Sequence, residues 1–146
     1  MPHPHEQELP PELETDAPIS VLTGATRGIG RHVASAIAAA GHTLLVPGRD
    51  PTRNELLCQE LIAESGNSSV FWVDCDLSDL GSVRTAAAQI GDATARVDVL
   101  VNNAGHFGGG FEETADGFER HLAINYLAPF LLTHELLSPL RAAPAA

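Results

Sequence analysis

The feature that most constrains this chain is a rhythm. Four short runs of apolar, mostly β-branched residues stand at 19–22, 43–46, 70–73 and 97–101, each separated from the next by a longer stretch with helical character. Strands joined by helical crossovers run parallel to one another. They are covered on both faces, so they read as continuous apolar runs rather than as alternation. Between the first two runs, Ile29, Val33, Ile37 and Ala40 recur at helical spacing and Gly41 closes the segment. Asp50-Pro51 is a cap followed by a first-turn proline and opens a helix through about Ser65. Ser78 is placed to cap a third helix running to about Ile90. A last one is expected from near Thr114, with Phe118, Leu122, Asn125 and Leu132 on one face. The fold class is therefore α/β, a parallel sheet with helices on both sides.

Charge narrows the function. The 146 residues carry 19 acidic and 8 basic side chains, for a net charge of -11, and every basic residue is an arginine. Without lysine there is no Schiff-base chemistry and no lysine phosphate loop. An acidic, lysine-free surface does not suit nucleic acid, and none is expected as a partner. No apolar stretch is long enough for a membrane helix, and the first residues have neither the basic start nor the apolar core of a secretory leader. Two cysteines, Cys58 and Cys75, make no disulfide framework, and a reduced, cytoplasmic setting is the plain expectation. Residues 1–18 are rich in proline and acid and are expected to be a disordered tail ahead of a domain over 19–146. His3 and His5 within it are read as solvated, and the other histidines have no metal-ligand spacing, so no metal is expected. His106 is the one histidine placed where it could donate a proton.

Thr23-Gly24-Ala25-Thr26-Arg27-Gly28-Ile29-Gly30 joins the first strand to the first helix. A glycine-rich turn there lets backbone approach a pyrophosphate and aims a helix N-terminus at it. Further motifs follow in order: Gly48-Arg49-Asp50 after the second strand, Asp74-Cys75-Asp76-Leu77 at the end of the third, Asn102-Asn103-Ala104-Gly105 after the fourth, and then Asn125. On these residues the chain resembles the short-chain dehydrogenase/reductase family, whose fingerprint has the form T-G-x-x-x-G-x-G. The resemblance covers residues 19–140. It implies a Rossmann-type doubly wound sheet in the strand order 3-2-1-4, truncated after the fourth strand and its following helix.

The cofactor that the resemblance implies is a nicotinamide dinucleotide. NAD is favoured by a carboxylate at the end of the second strand, which bonds the ribose 2′-hydroxyl. Gly48 stands there, followed by Arg49, whose guanidinium suits a 2′-phosphate, and Arg27 can approach from the other side. NADP(H) is therefore expected over NAD(H), although Asp50 can also be read as the NAD carboxylate. By resemblance, Gly24 to Gly30 cradle the phosphates, Asp76 bonds the adenine amino group and Leu77 lies beside it. Asn103 holds the fourth-strand turn, and Ala104-Gly105 leave room for ribose and nicotinamide. Phe107-Gly108-Gly109-Gly110-Phe111 reads equally as the border of a substrate cleft or as a linker.

Asn125 sits at the family's catalytic asparagine position. The family's other catalytic members, a serine and a Tyr-x-x-x-Lys pair, do not occur: the one tyrosine is Tyr126, with Phe130 four residues on. Pro129 cannot donate to the carbonyl of residue 125 and crowds it, which predicts a kink there, or else an early helix end. The leading expectation is an NADP(H)-dependent oxidoreductase acting on a carbonyl or alcohol. This chain would supply the cofactor-binding half and be inactive alone. The alternatives are a non-catalytic nucleotide-binding or dimerising module, or a truncated gene product. A homodimer or a complex with a full-length homologue is the implied protein partner.

Overall fold

Each apolar run becomes a parallel strand. In the computed structural model, which describes residues 7–144, β1 (Ile19–Leu22), β2 (Thr43–Gly48), β3 (Val70–Asp74) and β4 (Val99–Val101) lie in the expected order β3-β2-β1-β4. Helices α1 (Gly28–Ala39), α2 (Pro51–Ser65) and α3 (Leu80–Ala93) fill the connections. Neighbouring strand residues point to opposite faces. Val21, Leu45 and Val73 therefore join one core with Val83, Ile90, Leu132 and Leu136, while Leu22, Leu44 and Val46 join another with Ala34, Leu57 and Leu61.

Several local expectations are corrected. In α1 the inward stripe is Gly30, Ala34 and Ala38, all buried, rather than the stripe through Ile29, which is 77% exposed. Small residues let the helix lie close to the sheet, and Val33 and Ile37 pack from its flank. Asp50 caps α2 as expected, accepting from the Arg53 N–H at 3.1 Å, and Gly66 in the left-handed region ends the helix. Asp79, not Ser78, caps α3, accepting from the N–H groups of Gly81 and Ser82.

The last helical stretch begins at Arg120 rather than near Thr114. Residues 114–118 instead close a turn through Thr114 N–H to Phe118 C=O and Gly117 N–H to Thr114 C=O, with Gly117 at φ +81°. Phe118 and Leu122 consequently face solvent. One turn, α4 (Arg120–Leu122), leads into a π-helical turn at Ala123–Leu127, then α5 (Ala128–Glu135) and α6 (Leu137–Arg141). The wide turn sits directly before Pro129, where the proline ring would crowd the residue-125 carbonyl of an α-helix.

The expected mobile tail is also corrected over its described part. Gln7 C=O accepts from Trp72 N–H at 2.8 Å and Leu9 N–H donates to Trp72 C=O at 2.9 Å, so the segment lines the β3 edge. Leu9 and Leu13 pack against the core. Backbone bonds to β3 and to the end of α3, together with the two leucines, dock an acidic, proline-rich segment. His3 and His5 lie outside the described residues.

Candidate functional site

At the C-terminal ends of the strands the loops enclose a cleft of about 690 Å³. Gly24, Ala25, Thr26, Arg27, Gly28, Ile29, Gly30, Arg49, Asp76, Leu77, Asn103, Ala104 and Gly105 all line it, so every expected cofactor residue is brought together. Asn125 does not line it.

The glycine loop is tight because it is stitched to the turn after β4. The Asn103 amide donates to the carbonyls of Thr23 and Gly24 at 3.2 and 3.1 Å, and the N–H groups of Asn103 and Ala104 donate to Thr23 Oγ1. A side chain on Gly24 would meet the Ala104 backbone at 2.7 Å, and one on Gly30 would meet the Gly24 carbonyl at 1.9 Å. Gly28 is different: it has φ +57° and open space around it. These glycines exist for the loop's own packing as much as for a ligand's approach.

At the start of α1, the cap residue Arg27 makes no side-chain capping bond, whereas α2 and α3 are each capped by an aspartate. The first amides of α1 therefore lack a side-chain acceptor and open into the cleft, an arrangement suited to an anion.

Arginines supply the matching charge. Arg31, Arg84, Arg96 and Arg120 each lie within ion-pair distance of a carboxylate. Arg27, Arg49, Arg53 and Arg141 have no such partner among the described residues, and the first three line the cleft, Arg27 at the start of α1 and Arg49 and Arg53 just after β2. Arg53 was not singled out from the sequence. Its signal was its place three residues after the Asp50 cap, which returns it to the cleft mouth. Asn54 was also missed. It is buried, its amide donates to Gly48 C=O at 2.9 Å, and its side chain occupies the space a Cβ on Gly48 would need. It therefore shapes the turn that presents Arg49.

At the third strand, Asp76 Oδ1 accepts from the N–H and hydroxyl of Ser78, leaving Oδ2 without a partner among the described residues. Leu77 is half-buried beside it. Cys75 also lines the cleft, but burial pushes its thiol up to about 12, with Asp76, Asp74 and Asp79 adding to the rise. It is no thiolate nucleophile at neutral pH.

Asn125 acts on the cleft from behind. Its Oδ1 accepts from the His106 N–H at 2.7 Å and its Nδ2 donates to the His106 C=O at 2.9 Å, clamping the backbone just after Gly105. The His106 ring lines the cleft 4.9 Å from the His121 ring, and His121 Nδ1 is 2.7 Å from Glu119. Tyr126 is 63% exposed and, with Pro129, Phe130 and His134, lines a separate groove. Among the described residues no group of three histidine, cysteine or carboxylate side chains could hold a metal ion, and no helix is long and apolar enough to cross a membrane.

Residues 18–145 match the family described as short chain dehydrogenase. The chain is 39% identical over 123 residues to retinol dehydrogenase 11 of Mus musculus, covering 84% of this chain and 39% of that protein. It is 40% identical over 137 residues to polyprenol dehydrogenase of Mus musculus, covering 94% of this chain and 40% of that protein. Among solved structures, a short-chain dehydrogenase from Sphingobium yanoikuyae in complex with NADPH superposes with a TM-score of 0.69 at 32% identity. That match covers 82% of this chain and 46% of the other. The chain thus spans about two-fifths of the length of these curated relatives.

Proposed function

The chain belongs to the short-chain dehydrogenase family, and from that premise we propose that its 146 residues form the NADP(H)-binding half of an oxidoreductase acting on an apolar alcohol or its carbonyl product. The observation that carries the cofactor reading is the arginine arrangement. In a chain of net charge -11, three of the four guanidiniums without a carboxylate partner among the described residues, those of Arg27, Arg49 and Arg53, line one cleft, and only Arg141 stands elsewhere. A diphosphate at the uncapped α1 amides and a 2′-phosphate among Arg27, Arg49 and Arg53 use all of these groups, whereas NAD(H) leaves the arginines idle. The substrate class follows the relatives named for retinol and polyprenol.

When bound, the nicotinamide cofactor exchanges hydride with carbon. The residues of this chain bind and orient it. Gly24 to Gly30 set the backbone approach, Asp76 offers its free oxygen to an amino donor, and Asn125 fixes the His106 backbone where the cleft meets β4.

Titration with NADPH and NADH tests this, read as energy transfer from Trp72 to the reduced nicotinamide. A charge-assisted bond contributes about 1.5–3 kcal/mol, so NADPH should bind about tenfold to hundredfold more tightly, and Arg49→Ala should remove most of that difference. Equal affinity for the two cofactors defeats the NADP(H) reading.

A second reading, a nucleotide-binding module without turnover, is favoured by one observation: the only phenol, Tyr126, lines the separate groove rather than the cleft.

A further inference from the structure

Residues 107–111, Phe-Gly-Gly-Gly-Phe, have fixed ends and a free middle. At the near end, the Asn125 amide holds both backbone polar groups of His106. At the far end, Glu112 C=O accepts from the Arg120 N–H at 2.8 Å, and the Glu112 carboxylate pairs with the Arg120 guanidinium. Between these anchors, residues 107–111 make no hydrogen bond among the described residues. A side chain on Gly108, Gly109 or Gly110 would meet nothing within 4 Å, and the first two stand at φ +82° and +84°. Such a segment is free to swing as a unit.

The two residues that bracket the glycines are those least suited to water. Phe107 is 88% exposed and Phe111 79% exposed. Scattered exposed apolar residues are ordinary, but two aromatic rings four residues apart on one hinged segment, one of them lining a cleft, are not scattered. Phe107 lines the cleft, and its ring edge lies about 3.2 Å from where a Cβ on Gly105 would stand. Because β2 and β4 flank β1 on opposite sides, Phe107, which follows β4, and Arg49 and Arg53, which follow β2, lie toward opposite ends of the cleft. The Gly105 end adds apolar surface from Phe107 and Ile124 beside the polar side chains of His106 and Arg120.

We propose that residues 107–111 are a lid whose two phenyl rings close over the apolar part of the substrate at the Gly105 end of the cleft. This rests on the reading of the cleft as a dehydrogenase site and assigns Phe107 and Phe111 as its specificity-determining residues. The ligand chemistry is a long apolar alcohol or aldehyde, because the lid offers aromatic surface and no polar group of its own. Triglycine supplies the motion, and a bound ligand supplies the burial that the open state lacks.

The probe is all-trans-retinol, followed by its own fluorescence on the 146-residue chain, with NADPH affinity measured in parallel. The expected result is saturable binding, weakened at least tenfold in Phe107→Ala/Phe111→Ala and partly restored in Phe107→Leu/Phe111→Leu, with the thermal midpoint unchanged. Chymotryptic cleavage after Phe107 and Phe111 should slow with retinol present. Retinol affinity unchanged by the double alanine substitution, or cleavage indifferent to retinol, overturns the lid. If NADPH fails to bind while phenylalanine-dependent retinol binding persists, the cofactor reading falls and the lid stands. If NADPH binds and retinol does not, the lid falls alone.

Discussion

Of the glycines lining the cleft, Gly30 has the least room for a side chain. A Cβ there would lie 1.9 Å from the Gly24 carbonyl oxygen, and Gly24 cannot retreat because the Ala104 backbone stands behind it. Gly41 makes the contrast: φ +83°, open surroundings, and a place away from the cleft. Gly41→Ala should cost about 1–2 kcal/mol of stability from its left-handed backbone alone and leave NADPH binding intact. Gly30→Ala must displace backbone, costing about 1–3 kcal/mol or more, and should abolish NADPH binding. Urea midpoints together with NADPH titrations separate the two, and a Gly30→Ala chain that binds normally contradicts the packing account. The glycine spacing was legible in the sequence. The reason for each glycine was not, because Gly24 and Gly30 answer to Asn103 and Ala104, some eighty residues away.

Glu119 carries a residue-scale pH dependence. N–H groups of His121 and Leu122 and the His121 ring bond its carboxylate and hold it down at about 2, against 4.5 for a free carboxyl. A carboxyl depressed in the folded state contributes stability that is complete above its unfolded value and lost as pH falls through the folded one. The start of α4 should therefore hold through pH 4.5 and loosen toward pH 2. The amide shifts of His121 and Leu122 should titrate near 2; a midpoint near 4.5 would remove Glu119 from its capping role.

At the scale of elements, the sequence revealed the strands and the α2 cap because those signals are local. It concealed two elements whose cause is distant or delicate. One is the strap over residues 7–18, which composition marks as mobile. A single buried carboxylate gathers it in: Glu55 accepts from Trp72 Nε1 at 2.8 Å and from the Gln7 N–H at 3.3 Å. Leu9 and Leu13 add apolar contact. Removing residues 1–18 uncovers the β3 edge, so the shortened chain should unfold at lower urea and aggregate sooner, as light scattering would record. Unchanged stability would return these residues to the status of a tail.

The other concealed element is the π turn. Pro129 signalled a kink, and the structure resolves it as one widened turn that aims Asn125 at His106. Pro129→Ala permits an ordinary α-turn, which would rotate Asn125 by about 100° and release His106. Faster amide exchange at His106 in that variant is the expected sign. Exchange as slow as in the parent would show that the wide turn does not depend on the proline.

Across the whole molecule, strand order distributes the groups that line the cleft. Arg49 and Arg53 line the cleft after β2, Phe107 and His106 line it after β4, and beyond these β4 pairs only with β1 among the described residues. Reducing a carbonyl requires a proton as well as a hydride. A phenol supplies one readily near neutrality only when a neighbouring cation lowers its pKa from about 10. Here Tyr126 is exposed in the separate groove, lysine is absent, and Cys75 is held protonated by burial. An imidazole also lines the cleft, that of His106, whose ring lies beside His121. A polypeptide of these 146 residues should therefore bind NADPH yet oxidise it no faster with retinal than without. The comparison is absorbance at the reduced-nicotinamide band for the purified chain and its His106→Ala variant. Turnover that survives repurification and vanishes in His106→Ala would make the imidazole the acid and the chain an enzyme in its own right. Without such turnover, a chain that binds NADPH matches the reading of a nucleotide-binding module.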